Sequence, residues 1–229
     1  MPYVAEAAAA QRCDEQARLL ICGRWTHGSV ATPVLDKFRL TPFGAVHTAD
    51  RDQVADCVAA AEHAFRAISL DNHTRGAILD KAAGLIEERA EELIAILQRE
   101  AGFPRADAAG EVARSVATFR LSAEEARRFG GEMVPVQGAP GQGARIGFTL
   151  RVPVGVVCAV TPFNAPVNTV AHKIAPAIAA GNAVIVKPSL HTPFAACALA
   201  QILIDAGLPA ELISVVHGGP EVVNWLLDE

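Results

Sequence analysis

Nothing limits the fold of this chain as strongly as an alternation in its last third. Three apolar runs, Val154–Val160, Ala183–Val186 and Leu212–Val216, are each followed by a turn and a helical stretch. A run without polar alternation is what a strand buried on both faces of a parallel sheet looks like. After the first run come Thr161-Pro162-Phe163-Asn164-Ala165-Pro166 and a helix over 167–179, stopped by Gly181-Asn182. After the second come Lys187-Pro188-Ser189 and a helix with Thr192 as its cap and Pro193 as its opening residue, stopped by Gly207. The third leads through Gly218-Gly219-Pro220 into a last helix. Strand and helix repeated three times predict a right-handed α/β unit over 152–229. Three parallel strands are about half of a doubly wound sheet, and Val222, Val223, Trp225, Leu226 and Leu227 lack a partner surface, so the chain reads as cut short.

The upstream part has a different texture. Residues 1–17 read as a flexible, alanine-rich tail, and 18–47 as two or three short strands broken by Gly and Pro. Amphipathic periodicity predicts helices over 51–67, 75–100 and 105–128, the first with Val54, Val58, Ala61 and Phe65 on one stripe. The Gly-rich stretch 131–151 reads as a β-hairpin or flap with an exposed edge strand at Ile146–Leu150, inviting self-association into a homo-oligomer. The expected division is therefore tail 1–17, strands, helices and flap 18–150, and a partial nucleotide-binding domain 151–229.

Composition narrows the class further. With 51% hydrophobic and 20% charged residues the chain buries a proper core, which excludes general disorder. A net charge of −5 argues against a nucleic-acid partner held by phosphate contacts. No apolar run reaches the roughly 18 residues of a membrane span, and the N-terminus lacks a secretory pattern. Five scattered cysteines without CxxC, and seven histidines without ligand spacing, predict neither a disulfide framework nor a metal site. The expectation is a cytoplasmic protein in which Cys57, Cys158 and Cys197 are core residues.

Ligands of open parallel sheets sit beyond the carboxyl ends of the strands. That rim offers the amide of Asn164, the ammonium of Lys187 and the Gly218-Gly219 turn into a helix N-terminus, which favours phosphate through free N–H groups. The expectation is a common crevice for a dinucleotide, although the GxGxxG fingerprint is absent. Each feature also has a plain structural reading: Asn164 as a turn residue, Lys187 as a lysine snorkelling off a strand end, Gly218-Gly219 as a simple turn.

The segment VPVGVVCAVTPFNAP…HKIAPAIAAGNAVIVKPSLHTP…AGLPAELISVV resembles the coenzyme-binding half of the aldehyde dehydrogenase superfamily, with several elements in order over about 65 residues. The resemblance implies an NAD- or NADP-dependent oxidation of an aldehyde. In that family a cysteine thiolate attacks the aldehyde to give a thiohemiacetal oxyanion, hydride passes to the nicotinamide, and a glutamate-activated water releases the acid. Asn164 matches the asparagine whose amide donates to the oxyanion. Lys187 matches the lysine that binds the adenosine ribose, while Val160, Thr161, Pro162 and Phe163 match backbone and wall positions along the cofactor, with Ser189, Gly218 and Gly219 completing that set. Leu190 stands where a ribose-binding glutamate is frequent, which leaves NADP tolerated. Val223 stands where a second glycine is common. The family's nucleophilic cysteine and catalytic glutamate fall beyond residue 229, so this chain alone is expected to be inactive.

The helix after TPxN lines the aldehyde tunnel in that family. Here Ala165, Asn168, Thr169 and His172 share one face and are small or polar. Arg114 matches another tunnel position; its alternative is a surface pair with Glu111. The resemblance thus implies a small polar or anionic aldehyde, with phosphonoacetaldehyde and semialdehyde dehydrogenases as the nearest branches. The competing reading is a non-catalytic nucleotide-binding or assembly module.

Overall fold

The structure, a computed structural model, describes residues 16–229; the tail expected over 1–15, with Cys13, lies outside the described residues. Gln16–Ala17 are not tail: they form β1, which runs parallel to β5 (Pro42–Thr48), and Ala17 is fully buried. With β4 (Val30–Leu35) they make a three-stranded sheet ordered β1-β5-β4. The region 18–47 thus yields four strands rather than two or three, because β2 (Leu19–Ile21) and β3 (Arg24–Thr26) leave that sheet for another.

The second sheet is the core of the molecule. It is ordered β3-β2-β10-β9-β8, where β8 is Val156–Val160, β9 is Ala183–Lys187 and β10 is Ile213–Val215. The last three are parallel and in register, as the apolar runs predicted, and β2 adds antiparallel to β10 through Leu20 and Val215. The five residues of β9 are all buried. Those of β8 are half-buried at Val156–Cys158, buried at Ala159 and exposed at Val160, because β8 is an edge strand; the expectation that this run is buried on both faces is corrected.

Helices cover the two faces. Helix α1 (Arg51–Ala67) and α7 (Pro220–Asp228) lie on one side, and α5 (Asn168–Ala179) and α6 (Pro193–Ala206) on the other. Asp50 and Gln53 form a reciprocal capping box at the start of α1, and Gly207, at φ +107°, ends α6 in the left-handed conformation. The stretch expected as one helix over 75–100 is two, α2 (Asn72–Glu88) and α3 (Ala90–Glu100), broken where Arg89 departs from helical geometry at φ −98°, ψ 19°. Arg89 there pairs with Asp205 of α6 at 2.6 Å. Helix α4 (Arg105–Arg128) matches its expected limits and packs on α2 and α5.

The flap is a hairpin, but its paired strands are short: β6 (Met133–Val134) against β7 (Gly147–Phe148) instead of a strand over Ile146–Leu150. Its apolar side chains are open, with Met133 71%, Ile146 77% and Leu150 72% exposed. Among the described residues no helix is long and apolar enough to cross a membrane, and no three metal-ligating side chains gather.

Candidate functional site

The rim forms because parallel register fixes where each strand stops. Val160 lies opposite Lys187, the Thr161 N–H donates to the Lys187 carbonyl at 3.1 Å, and the Val216 N–H donates to the Val186 carbonyl at 2.9 Å. Thr161-Pro162-Phe163-Asn164, Lys187-Pro188-Ser189 and His217-Gly218-Gly219 are thereby brought to one edge of the sheet.

Asn164 is exposed and borders a cavity of about 440 Å³ together with Phe163, Lys37, Glu100, His191 and Thr192. Phe163 meets the His191 ring edge-on at 5.8 Å. Lys37 straps this corner, its Nζ donating to the carbonyls of His191 and Leu35 at 3.3 Å each. Lys187 does not line that cavity. Strand alternation puts it with Ile185 and Cys158 on the side of α1 and α7, where burial lowers its pKa and Glu221 partly offsets the shift. The amide and the ammonium therefore share a rim, Asn164 bordering the cavity toward Glu100 and Thr192 and Lys187 lying toward α1 and α7.

The glycine turn is less open than expected. A Cβ on Gly218 would fall 2.2 Å from Val222 Cγ2, so packing under α7 requires the glycine. The Gly219 N–H already donates to Glu221 Oε1 at 2.9 Å. Val160 is 38% and Phe163 58% exposed, Ser189 is partly buried, and the buried Thr161 Oγ1 finds no hydrogen-bond partner among the described residues.

The proposed tunnel residues gather where α4 crosses α5. Arg114 and His172 are exposed, and Thr118 joins them, its hydroxyl donating to the Arg114 carbonyl at 3.1 Å and lying 3.4 Å from His172 Nε2. Asn168 and Thr169 are half-buried, and Asn168 Oδ1 is another buried atom without a partner among the described residues. The Glu111–Arg114 surface pair is ruled out, because Glu111 is 1% exposed and accepts from the Val167 and Asn168 N–H groups at 2.7 and 2.9 Å.

Glu111 and Glu100 are the residues that sequence reasoning missed. Glu100 is fully buried and accepts from the Phe194 and Ala195 N–H groups at 2.8 and 2.9 Å, doing for α6 what Thr192 was expected to do. The Thr192 hydroxyl makes no cap hydrogen bond. A signal existed: each glutamate falls on the apolar stripe of its helix, after Leu93, Ile96 and Leu97 or between Ala108, Val112 and Ser115.

The described cysteines are not placed for chemistry at Asn164, since none lines its cavity. Cys57 is buried, which pushes its thiol up to about 12; burial also raises Cys158, while Cys197, a residue of α6, is buried with its sulfur 3.6 Å from His217 Nε2.

Comparison with known proteins places these features in context. The sequence profile of the aldehyde dehydrogenase family matches residues 25–229. The chain is 42% identical over 215 residues to 3-sulfolactaldehyde dehydrogenase of Priestia aryabhattai, covering 93% of this chain and 45% of that protein. It is 35% identical over 216 residues to D-glyceraldehyde dehydrogenase (NADP(+)) of Thermoplasma acidophilum, covering 92% and 43%. The crystal structure of an NAD-dependent aldehyde dehydrogenase from Sinorhizobium meliloti superposes with a TM-score of 0.87 at 29% identity, covering 96% of this chain and 45% of that one. The chain thus spans less than half the length of the relatives it matches.

Proposed function

The chain belongs to the aldehyde dehydrogenase family, and from that premise we propose that it supplies the coenzyme platform and the oxyanion-binding amide for NAD- or NADP-dependent oxidation of a small polar or anionic aldehyde to its acid. The observation that carries this reading is the in-register trio β8, β9 and β10, which delivers Asn164 and Lys187 to neighbouring strand ends.

The residues present fit a dinucleotide. Lys187 is a buried cation at a strand end, suited to ribose hydroxyls, and the unpartnered Thr161 Oγ1 at the neighbouring strand end offers a further polar contact. Phosphate contacts at Gly219 require the Glu221 carboxylate to give up its place there. When bound, the nicotinamide supplies the hydride acceptor.

The chain's own contribution is electrostatic and positional. Asn164 donates an amide N–H to the oxygen that becomes negative when a thiolate adds to the aldehyde, and one such donor is worth roughly 3–4 kcal/mol. Its loop position leaves that amide free: none of its polar side-chain atoms is tied up in the hydrogen bonds that hold the rim. In this reading the thiol comes from outside the described lining of the Asn164 cavity. Arg114, with His172 beside it, holds the anionic end of the substrate, since a guanidinium grips sulfonate, phosphonate or carboxylate in a fork. The name of the Priestia relative denotes such an aldehyde, carrying a sulfonate.

Titration of the 229-residue chain with NAD and with NADP tests the platform. Saturable binding is expected for at least one cofactor, weakened about tenfold, or roughly 1.4 kcal/mol, in Lys187→Ala; binding of neither removes the reading. In an active enzyme carrying this segment, Arg114→Ala is expected to raise KM for an anionic aldehyde about tenfold more than for a neutral one, and equal effects remove the anionic class. A second reading, an assembly module without turnover, draws on the open apolar flap at Met133, Ile146 and Leu150. Self-association without cofactor binding would favour it, and the homo-oligomer proposed for this chain rests on the same surface.

A further inference from the structure

We infer that Glu111 is a positioning residue for Asn164: reaching from α4, its carboxylate fixes the first turn of α5 and thereby the loop that aims the Asn164 amide. This deepens the proposed function and rests on the reading of Asn164 as the oxyanion donor.

The argument begins with a helix that lacks a cap of its own. The residue before α5 is Val167, whose side chain cannot accept a hydrogen bond, and no side-chain cap is present there. Pro166 has no N–H, so the first donors of this turn are those of Val167 and Asn168. A single oxygen, Glu111 Oε1, accepts both, at 2.7 and 2.9 Å. The Thr169 N–H then donates to the Ala165 carbonyl at 2.8 Å, closing the turn over the loop.

The anchor lies close to the amide it serves. Between Asn164 and Val167 stand only Ala165 and Pro166, and the proline ring fixes its own φ, so a displacement of Val167 passes almost undamped to Asn164. The other end of the loop is held by the Thr161 N–H on the Lys187 carbonyl at 3.1 Å. Pro162-Phe163-Asn164-Ala165 is therefore suspended between two fixed points, and Glu111 is one of them.

Glu111 also sets a relation between sites. Arg114 stands one turn further along α4, on the exposed side, while Glu111 points inward. One helix thus carries both the anchor of the oxyanion donor and the cation proposed for the far end of the substrate, so the spacing of the two follows from the register of α4 on α5. The charged group that acts on the Glu111 carboxyl is Arg114 from α4, and Glu111 in turn acts as a like charge on Glu100 at the end of α3.

The test uses the full chain, labelled with nitrogen-15, and follows the Asn164 side-chain amide together with the backbone amides of 163–169. In the unaltered protein the Val167 and Asn168 amides and the Asn164 side chain are expected to titrate with one shared midpoint, above the ordinary carboxylate range. Glu111→Ala should speed hydrogen exchange over 163–169 by about tenfold and shift the Asn164 side-chain signals. Glu111→Gln, which keeps an acceptor oxygen, should restore the exchange rates and abolish the titration, an outcome that bulk stabilisation does not predict. Should Glu111→Ala fail to fold, the titration and Glu111→Gln still decide. An Asn164 side chain that does not titrate with Val167 and Asn168, and does not move in the foldable variants, overturns the inference and leaves Glu111 as a cap alone. Titration of the same samples with NAD and NADP separates the two claims: failure to bind either cofactor strikes the proposed function while leaving the coupling intact.

Discussion

Helices α5 and α6 each follow a strand of the parallel sheet, each begin beside a proline, and each take their cap from a glutamate of the helical layer, yet the two junctions sit at different depths. At α6 everything from Thr192 to Ala200 is buried, and so is Glu100. Desolvation pushes that carboxyl up to about 8 against the pull of two N–H donors and Lys37. At α5 the cap is also buried and also raised by desolvation, but the two N–H donors and Arg114 oppose the shift, and the neighbouring Asn164, His172 and Lys173 are exposed. The same device closes one junction into the core and holds the other open at the surface. A borrowed cap is thus an anchor where the chain must stay shut and an aiming device where it must present a side chain.

The largest test of this contrast is truncation of the caps. Glu100→Ala orphans two fully buried N–H groups and is expected to cost roughly 3 kcal/mol, about 6–12 °C in Tm, by thermal or urea denaturation. Glu111→Ala should cost less, roughly 1–2 kcal/mol, because water reaches the α5 junction more readily. Equal losses would erase the difference in depth.

A pH profile sharpens the comparison. Glu100 sits at about 8 in the folded chain against an ordinary 4.5, so its contribution is present below 4.5 and lost as pH rises through 8. His217, fully buried beside Arg18 and Cys197, is held down at about 3 against an ordinary 6.5, so its contribution is present above 6.5 and lost as pH falls through 3. Stability should therefore be broadest between these trends, near pH 4.5–6.5, and decline on either side. Glu100→Gln should flatten the alkaline decline and leave the acid one, as read from urea midpoints across pH. The smallest effect concerns Thr192, whose buried hydroxyl has no partner among the described residues. Thr192→Val should be neutral or stabilising by about 0.5–1 kcal/mol, since it removes an unsatisfied group while keeping shape; a clear loss would mean the hydroxyl has work at the α6 junction after all.

Local pattern made much of this molecule legible. Helices over 51–67, 105–128 and 193–206 appear at their expected limits, because stripes, prolines and Gly207 are all short-range signals. The three apolar runs gave the parallel strands and the order of their connections, and with them the rim that carries Asn164 and Lys187. What could not be read was relation at a distance. The Arg89 break hides in a stretch of good helix formers, and the edge position of β8 depends on which strands flank it. Residue types placed Lys187 at the rim, but only strand alternation in a known register shows which face it takes. Glu100 caps residues more than ninety positions away, so the acid on an apolar stripe was visible while its purpose was not.

The pairing of β2 with β10 carries a consequence for how the molecule is made. Leu20 of one lies against Val215 of the other, nearly the whole chain apart. On a ribosome β2, with Leu19, Leu20 and Ile21, must wait for the partner on that edge until β10 has been synthesised. Contacts of such long sequence separation close slowly, so β2 spends a prolonged interval with that edge open before it joins the parallel strands.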